Sequence, residues 1–535
     1  MKRVVKSLII FISLFIFSNV VLAKDFKLEW SKTIGETNDT FLYTSVDSYD
    51  GMNYYVGGVN SNSPIFDAVS GTWFKGVIAK YDKDGNLLWK IDEDDVHPVY
   101  KVKGTSDGGV IALGVSEPKT SDLFYSTLIK YDKDGKLEWK TEITSTDAYY
   151  VDKEFNVSSI YLDSKNGNYI VVIGYKNINL IVVSKDGKVN RNFNLSSLSD
   201  ENNDIKLYTH TMDNDNYIVF FGEKKNKTTK ESKLVMYKFD MNGYLVSDRE
   251  LSNIENNLGN LSVDTDNTNN YVLFRSVYNE VPFTENYNMK EYSYYFDVYD
   301  KSGKLVSSKE YVPDKNDDNY YSVQYYKLNV DYENNYIVRY CSSNGSFFQY
   351  KFDRDLNVDK SIGYELDNTY DLLIDKYNNY VYVGGLFKYK GQSLKNNDEG
   401  ISTYTTVEEL VVETAFITKY SSSYDISVTK EGVGEVESSV STIKSGNTVT
   451  IKATPGEGYK IDKITVTDKF GNNIEVVDNK FIMPASDVTI KVVFTNAPVD
   501  NPKTGIMNYA GVFISLIVFG IVGYRYIKSK SMIEL

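Results

Sequence analysis

The chain has 535 residues, with 59 Lys+Arg against 73 Asp+Glu and a net charge of −14. That length allows a large core and more than one domain, while the acidic balance excludes nucleic acid as a partner, because phosphate backbones demand clustered Lys and Arg. The single cysteine, Cys341, cannot form an intramolecular disulfide, and the two histidines, His97 and His210, argue against a histidine-rich metal site and most His-based catalysis.

The chain opens on a basic segment (Lys2, Arg3, Lys6), then an apolar run from Leu8 to Phe17, then Val21 and Ala23 before Lys24. This is the layout of a secretory signal peptide over residues 1–23, with cleavage after Ala23. An uncleaved anchor is the alternative, but the apolar run is shorter than the ~20 residues that cross a bilayer.

Residues 24–424 are repetitive. GVIAKYDKDGNLLWKI (76–91) nearly superimposes on STLIKYDKDGKLEWKTEI (126–143), and weaker copies continue to AFITKYSSSYDI (415–426). Turn glycines Gly85, Gly135, Gly187, Gly243 and Gly303 fall 50, 52, 56 and 60 residues apart. Each copy alternates apolar and polar residues on both sides of an Asp/Asn-Gly corner, which is a hairpin signal. Upstream of each lies a second strand pair, as in DSYDGMNYYVGG (47–58), TSDGGVIALG (105–114), DNDNYIVFFG (213–222) and DKYNNYVYVGG (375–385). Seven units of four short strands predict an all-β fold, a seven-bladed β-propeller. The 46 Tyr and 26 Phe suit blades that stack face to face.

Trp89 and Trp139 end Leu-any-Trp triplets, and so does Trp30 in LEWSKTI, a copy whose own first three strands are missing. Residues 26–34 are therefore predicted to supply the outermost strand of the last blade and remove an open edge; Tyr424 to Thr429 is the alternative. The units resemble propeller repeats of secreted bacterial proteins, with Thr105, Asp107, Gly108, Gly109, Leu128 to Tyr131, Gly135 and Trp139 matching best. This resemblance implies a fold and no ligand.

The Asp-rich corners, with Asp82, Asp84 and Asn86 or Asp132 and Asp134, read as turns in which Asp caps its own backbone. A calcium loop would need a bidentate Glu twelve residues from its start, so no metal or other cofactor is expected. The second-to-third strand connections vary most: 60–76, 276–295 and 386–406. They share one end of the propeller, and Trp73, Phe74, Phe283, Tyr287 and Tyr389 in them are candidates to stack on sugars or peptide side chains. The alternative is that these aromatics pin their own loops.

Residues 425–496 read as a small β domain without helical periodicity. They resemble the divergent internalin-type B-repeat near the wall anchors of bacterial surface proteins, through Gly434, Gly446, Val449, Ile451, Gly458, Tyr459, Phe481, Met483, Pro484 and Asp487 to Phe494. The resemblance implies a stalk.

Residues 497–505 form a linker and a motif, Asn501, Pro502, Lys503, Thr504 and Gly505. A predicted transmembrane helix (506–527) and a basic cytoplasmic tail (528–535, with Lys528 and Lys530) follow. Motif, helix and tail in this order resemble the cell-wall sorting signals of Gram-positive bacteria. The resemblance implies that a sortase transpeptidase cuts between Thr504 and Gly505 and joins Thr504 to a peptidoglycan amine. Pro502 keeps Asn501 extended, and Asn501 stands where the commonest motif has Leu. A single-pass membrane protein in which NPKTG is a turn is the alternative.

The sequence thus predicts a non-enzymatic cell-surface protein held by the membrane before sorting, with a sortase and peptidoglycan as partners and a glycan or protein as extracellular ligand. The rival is a wall-anchored glycan-active enzyme with its site in the propeller cleft.

Overall fold

The computed structural model describes residues 26–34, 40–61, 75–94, 96, 98–116, 123–147, 158–174, 178–254, 257–284, 287–311, 323–342, 347–365, 369–389, 395–396, 402–403 and 410–497. These form two compact units: residues up to Asp425 with Thr442–Thr448 and Ile482–Asp487, and a second of Ile426–Ser441, Val449–Phe481 and Val488 onward. The one helical element among the described residues is a short 3-10 turn, Leu195–Leu198. None of their helices is long and apolar enough to cross a membrane. The segments read as signal peptide and membrane helix lie outside them.

The first unit is a propeller-like series of antiparallel sheets. Six have four strands each in sequence order, and the seventh joins Thr369–Ile374, Tyr380–Tyr389 and Leu410–Glu431. Its fourth strand is Phe26–Ile34, paired with Leu410–Glu431 from Phe26↔Ser422 to Ile34↔Ala415. Residues 26–34 are therefore the outermost strand of the seventh sheet. The competing candidate lies elsewhere, since Ile426 to Glu431 pairs in parallel with Val488 to Val493.

Hydrogen bonds link every sheet to the next. Gly104 N–H donates to Asp47 (2.8 Å), Trp139 Nε1–H to the Lys185 carbonyl (2.9 Å), and Tyr161 shares a 2.7 Å bond with His210. Tyr271 donates to Asp213 (2.9 Å), Val330 N–H to Asp264 (2.8 Å), Tyr380 to Asp331 (2.9 Å), and Tyr54, in the first sheet, to Asp375 in the seventh (2.7 Å). Between sheets lie apolar layers, such as Ile111, Leu113 and Leu128 against Val171, Ile181 and Val183. Strand Val110–Ser116 is buried along its whole length because both its faces meet another sheet.

Two repeated devices explain the sequence repeat. The first joins a lysine of the third strand to the aspartate of the first turn: Lys130 to Asp107 (3.0 Å), Lys238 to Asp213 (2.6 Å) and Lys351 to Asp331 (3.6 Å). These lysines are almost fully buried, so each charge needs its partner. The second is a rim ladder. Trp30, Trp89 and Trp139 each donate Nε1–H to the carbonyl of Lys83, Lys133 or Lys185, in the outer turn of the next sheet. Gly85 takes φ +79°, and a Cβ there would lie 2.7 Å from the Trp30 ring, so the turn requires glycine for both shape and space.

One sequence expectation needs correction. Residues 276–295 are not a loop: strands Tyr271–Thr284 and Tyr287–Tyr299 run through them as one hairpin. Its alternation of Val and Tyr with polar residues suits a ladder better than a coil, and Tyr278 faces Tyr292 across it (5.5 Å between ring centroids).

In the second unit, Val488–Asn496 pairs with Tyr459–Asp468, while Gly434–Ser438 pairs with Thr448–Pro455. Val449, Ile451, Val466, Phe481, Ile490 and Val492 fill its interior. A Cβ on Gly434 would lie 2.6 Å from the Phe494 ring, which explains that glycine.

Candidate functional site

The inner strands of the seven sheets are Thr40–Asp47, Val99–Gly104, Ser159–Leu162, Asn203–Met212, Asn257–Thr265, Val323–Val330 and Thr369–Ile374. Alternate residues of a strand share one side, and polar side chains recur at equivalent positions on these strands. Ser45, Ser262 and Asp371 each accept the backbone N–H of the following sheet's inner strand, from Val102 (3.3 Å), Leu328 (2.8 Å) and Val46 (3.4 Å). Two residues further on, Asp47 and Asp264 do the same for Gly104 and Val330. These bonds satisfy strand edges that pair with no other strand.

At three of these positions the residue is charged, and the charges converge. Asp371 of the seventh sheet meets Lys327 of the sixth (2.8 Å), Lys101 of the second (3.6 Å) and Arg339, from the sixth sheet's second strand (3.7 Å). Residues so distant in sequence meet because the first strands of the second, sixth and seventh sheets lie close together. Asp371 is buried, whereas the side chains of Lys101 and Lys327 are 25% and 33% exposed. Burial acts to raise the Asp371 pKa, but Lys101, Lys327 and Arg339 together hold it well below the usual carboxylate range. Nearby on the same set of strands, Lys103 pairs with Asp47 (3.0 Å).

Asp264 behaves oppositely. Burial pushes it up to about 6, against the N–H groups of Val330 and Thr265 and the charge of Lys327. His210, at the junction of the third and fourth sheets, bonds Tyr161 and lies against Phe220 (5.2 Å between ring centroids), a packing role. His97 lies outside the described residues.

The predicted site residues fall as follows. Trp73 and Phe74, Val21 and Ala23, and the motif Asn501 to Gly505 lie outside the described residues. Phe283 and Tyr287 sit at the tip of the long hairpin, with Tyr287 opposite Thr284 and Phe283 at a register shift. Tyr389 ends its strand opposite Leu410. At the Asp-rich corners Asp82 accepts the N–H groups of Asp84 (2.9 Å) and Asn86 (2.8 Å), as a turn cap does. No group of three or more His, Cys, Asp or Glu placed to hold a metal occurs among the described residues. The axial cluster went unpredicted.

Comparison with known proteins gives a family for one segment. Residues 424–498 match the divergent InlB B-repeat domain family. No curated protein sequence matches the chain. Solved structures that resemble it include the β-propeller domain of the Trilobed protease from Pyrococcus furiosus, at 11% identity over 69% of this chain and 99% of that one (TM-score 0.38). Polysaccharide lyase Uly1 is 9% identical over 74% and 99% of the two chains (0.45), and an α-L-arabinofuranosidase, Arb93A from Fusarium graminearum, 11% over 74% and 98% (0.34). At such identities the activities of these proteins do not carry over.

Proposed function

We propose that this is an exported, non-enzymatic surface protein. Its head is a seven-bladed propeller closed by Phe26–Ile34, its stalk is the B-repeat, and a sortase joins Thr504 covalently to peptidoglycan, so that the loop face meets an extracellular glycan or protein. The observation that carries this reading is the family match at 424–498, directly between the seven sheets and the NPKTG motif. Binding is favoured over glycan hydrolysis by the state of the axial carboxylates. Hydrolysis of that kind uses one carboxyl group as proton donor. Asp371 is held ionised by three cations, and Asp264 has its oxygens committed to backbone N–H groups of two strands.

Muramidase treatment of cells tests the anchoring. Release of the chain into the soluble fraction, with Thr504→Ala remaining in the membrane fraction, is expected. Retention of the unaltered chain with the membrane would leave a plain single-pass protein.

A further inference from the structure

Arg339 makes an ion pair with Asp371 at 3.7 Å, beyond hydrogen-bond length, and its buried Nε has no acceptor. A buried N–H donor without an acceptor is costly, because it has left water for nothing equivalent. Asp371 cannot supply the missing acceptor. Its Oδ1 is taken by Lys327 (2.8 Å) and by the N–H of Leu372 (3.1 Å), and its Oδ2 by the N–H of Val46 (3.4 Å) with Lys101 close by (3.6 Å). Lys327 spends one of its three donors on Asp371 and is one-third exposed. Two residues further along its strand, Asn329 holds a buried Oδ1 that also has no partner. The cluster therefore combines uncommitted donors and positive charge, on strands held by the packed sheets.

We infer that the axial cluster is a binding site for an oxyanion group, a carboxylate or a phosphate, with Arg339 and Lys327 as its main contacts and Lys101 beside them. A guanidinium next to an ammonium suits either group, since each offers two or more acceptor oxygens to a forked donor. The acidic surface of the chain does not oppose this, because exposed charges beyond about 10 Å are screened at moderate salt whereas a buried cluster is screened far less.

The inference deepens the binding role proposed above and rests on it, but its failure would be separate: a chain released by muramidase that ignores oxyanions loses this site and keeps its anchoring. The test is calorimetric titration of the full chain in detergent with inorganic phosphate, with glucuronate, and with neutral methyl glucoside. At least one oxyanion should bind while methyl glucoside does not, and the stronger of the two names the source. Arg339→Lys, which retains the charge beside Asp371, should weaken binding about tenfold, and Lys327→Gln by a smaller factor. A thermal melt of each variant checks folding, and Lys327→Gln stands in if Arg339→Lys does not fold. Absence of binding by both oxyanions, equal binding of methyl glucoside, or variants that bind like the unaltered chain would overturn the inference.

Discussion

The rim and the axis of the first unit are built from the same repeat and treat it differently. At the rim, one solution recurs at three successive junctions: Trp30, Trp89 and Trp139 reach the turn of the following sheet in the same way. At the axis, the position held by Ser45 in the first sheet is Lys101 in the second, Ser262 in the fifth, Lys327 in the sixth and Asp371 in the seventh. Where copies agree, the residue serves the stacking of one sheet on the next. Where they diverge, sheets stop being interchangeable, and that is where a ligand would find asymmetry.

This contrast can be broken by substitution. Asp371→Ala should have the largest effect, about 3–5 kcal/mol, because it strands Lys101, Lys327 and Arg339 without their shared carboxylate. Denaturant midpoints would measure it, and a loss below ~1 kcal/mol would make the axis no more demanding than the rim. The pH dependence has a definite sign. A carboxylate whose pKa is depressed on folding contributes its stability above the unfolded value of about 3.9, and that contribution is lost as pH falls further. The unaltered chain should lose this advantage over Asp371→Ala below pH ~4.

Trp30→Phe removes one hydrogen bond and the second ring of a buried indole, so about 2 kcal/mol is expected. Smaller but matching losses for the less buried Trp89→Phe and Trp139→Phe are expected from the shared hydrogen bond; a loss confined to Trp30 would end that half of the comparison. Asp264→Asn tests the other axial carboxylate. Its pKa of about 6 lies above the unfolded value, so ionisation opposes folding above pH 6 and the opposition vanishes below pH ~4. Its amide offers one oxygen where the N–H groups of Thr265 and Val330 need two, so the variant should be less stable than the unaltered chain at pH 4 and close part of that gap by pH 8, where the unaltered chain bears the cost of ionisation; thermal melts at the two pH values read the difference. The smallest effect belongs to an exposed pair of contacts: Lys233 and Lys224 bring Glu250 down to about 2, yet Glu250→Gln should cost no more than ~0.5 kcal/mol and less in high salt.

Much of the architecture was legible because it repeats. The slot of Trp30 in LEWSKTI was enough to place Phe26–Ile34 on the last sheet. The hairpin through Val277 and Tyr292 was misread as a loop because length variation between copies resembles a loop insertion whether the extra residues pair or not. The axial cluster was hidden for another reason. Lys101, Lys327 and Asp371 sit in short strands where polar alternation announces a solvated side, and nothing local says that all seven sides face one another. Aligning the inner strands of the copies would have shown one position switching between hydroxyl and charge.

Ser31 and Thr418 share a 2.7 Å hydrogen bond although 387 residues separate them. The pairing of Phe26–Ile34 with the seventh sheet is thus strongly non-local, and such contacts form late. In any passage that releases the chain first residue first, Phe26–Ile34 emerges well before the strand it pairs with, Leu410–Glu431. Until then two strand edges stay open to any other chain that pairs with them.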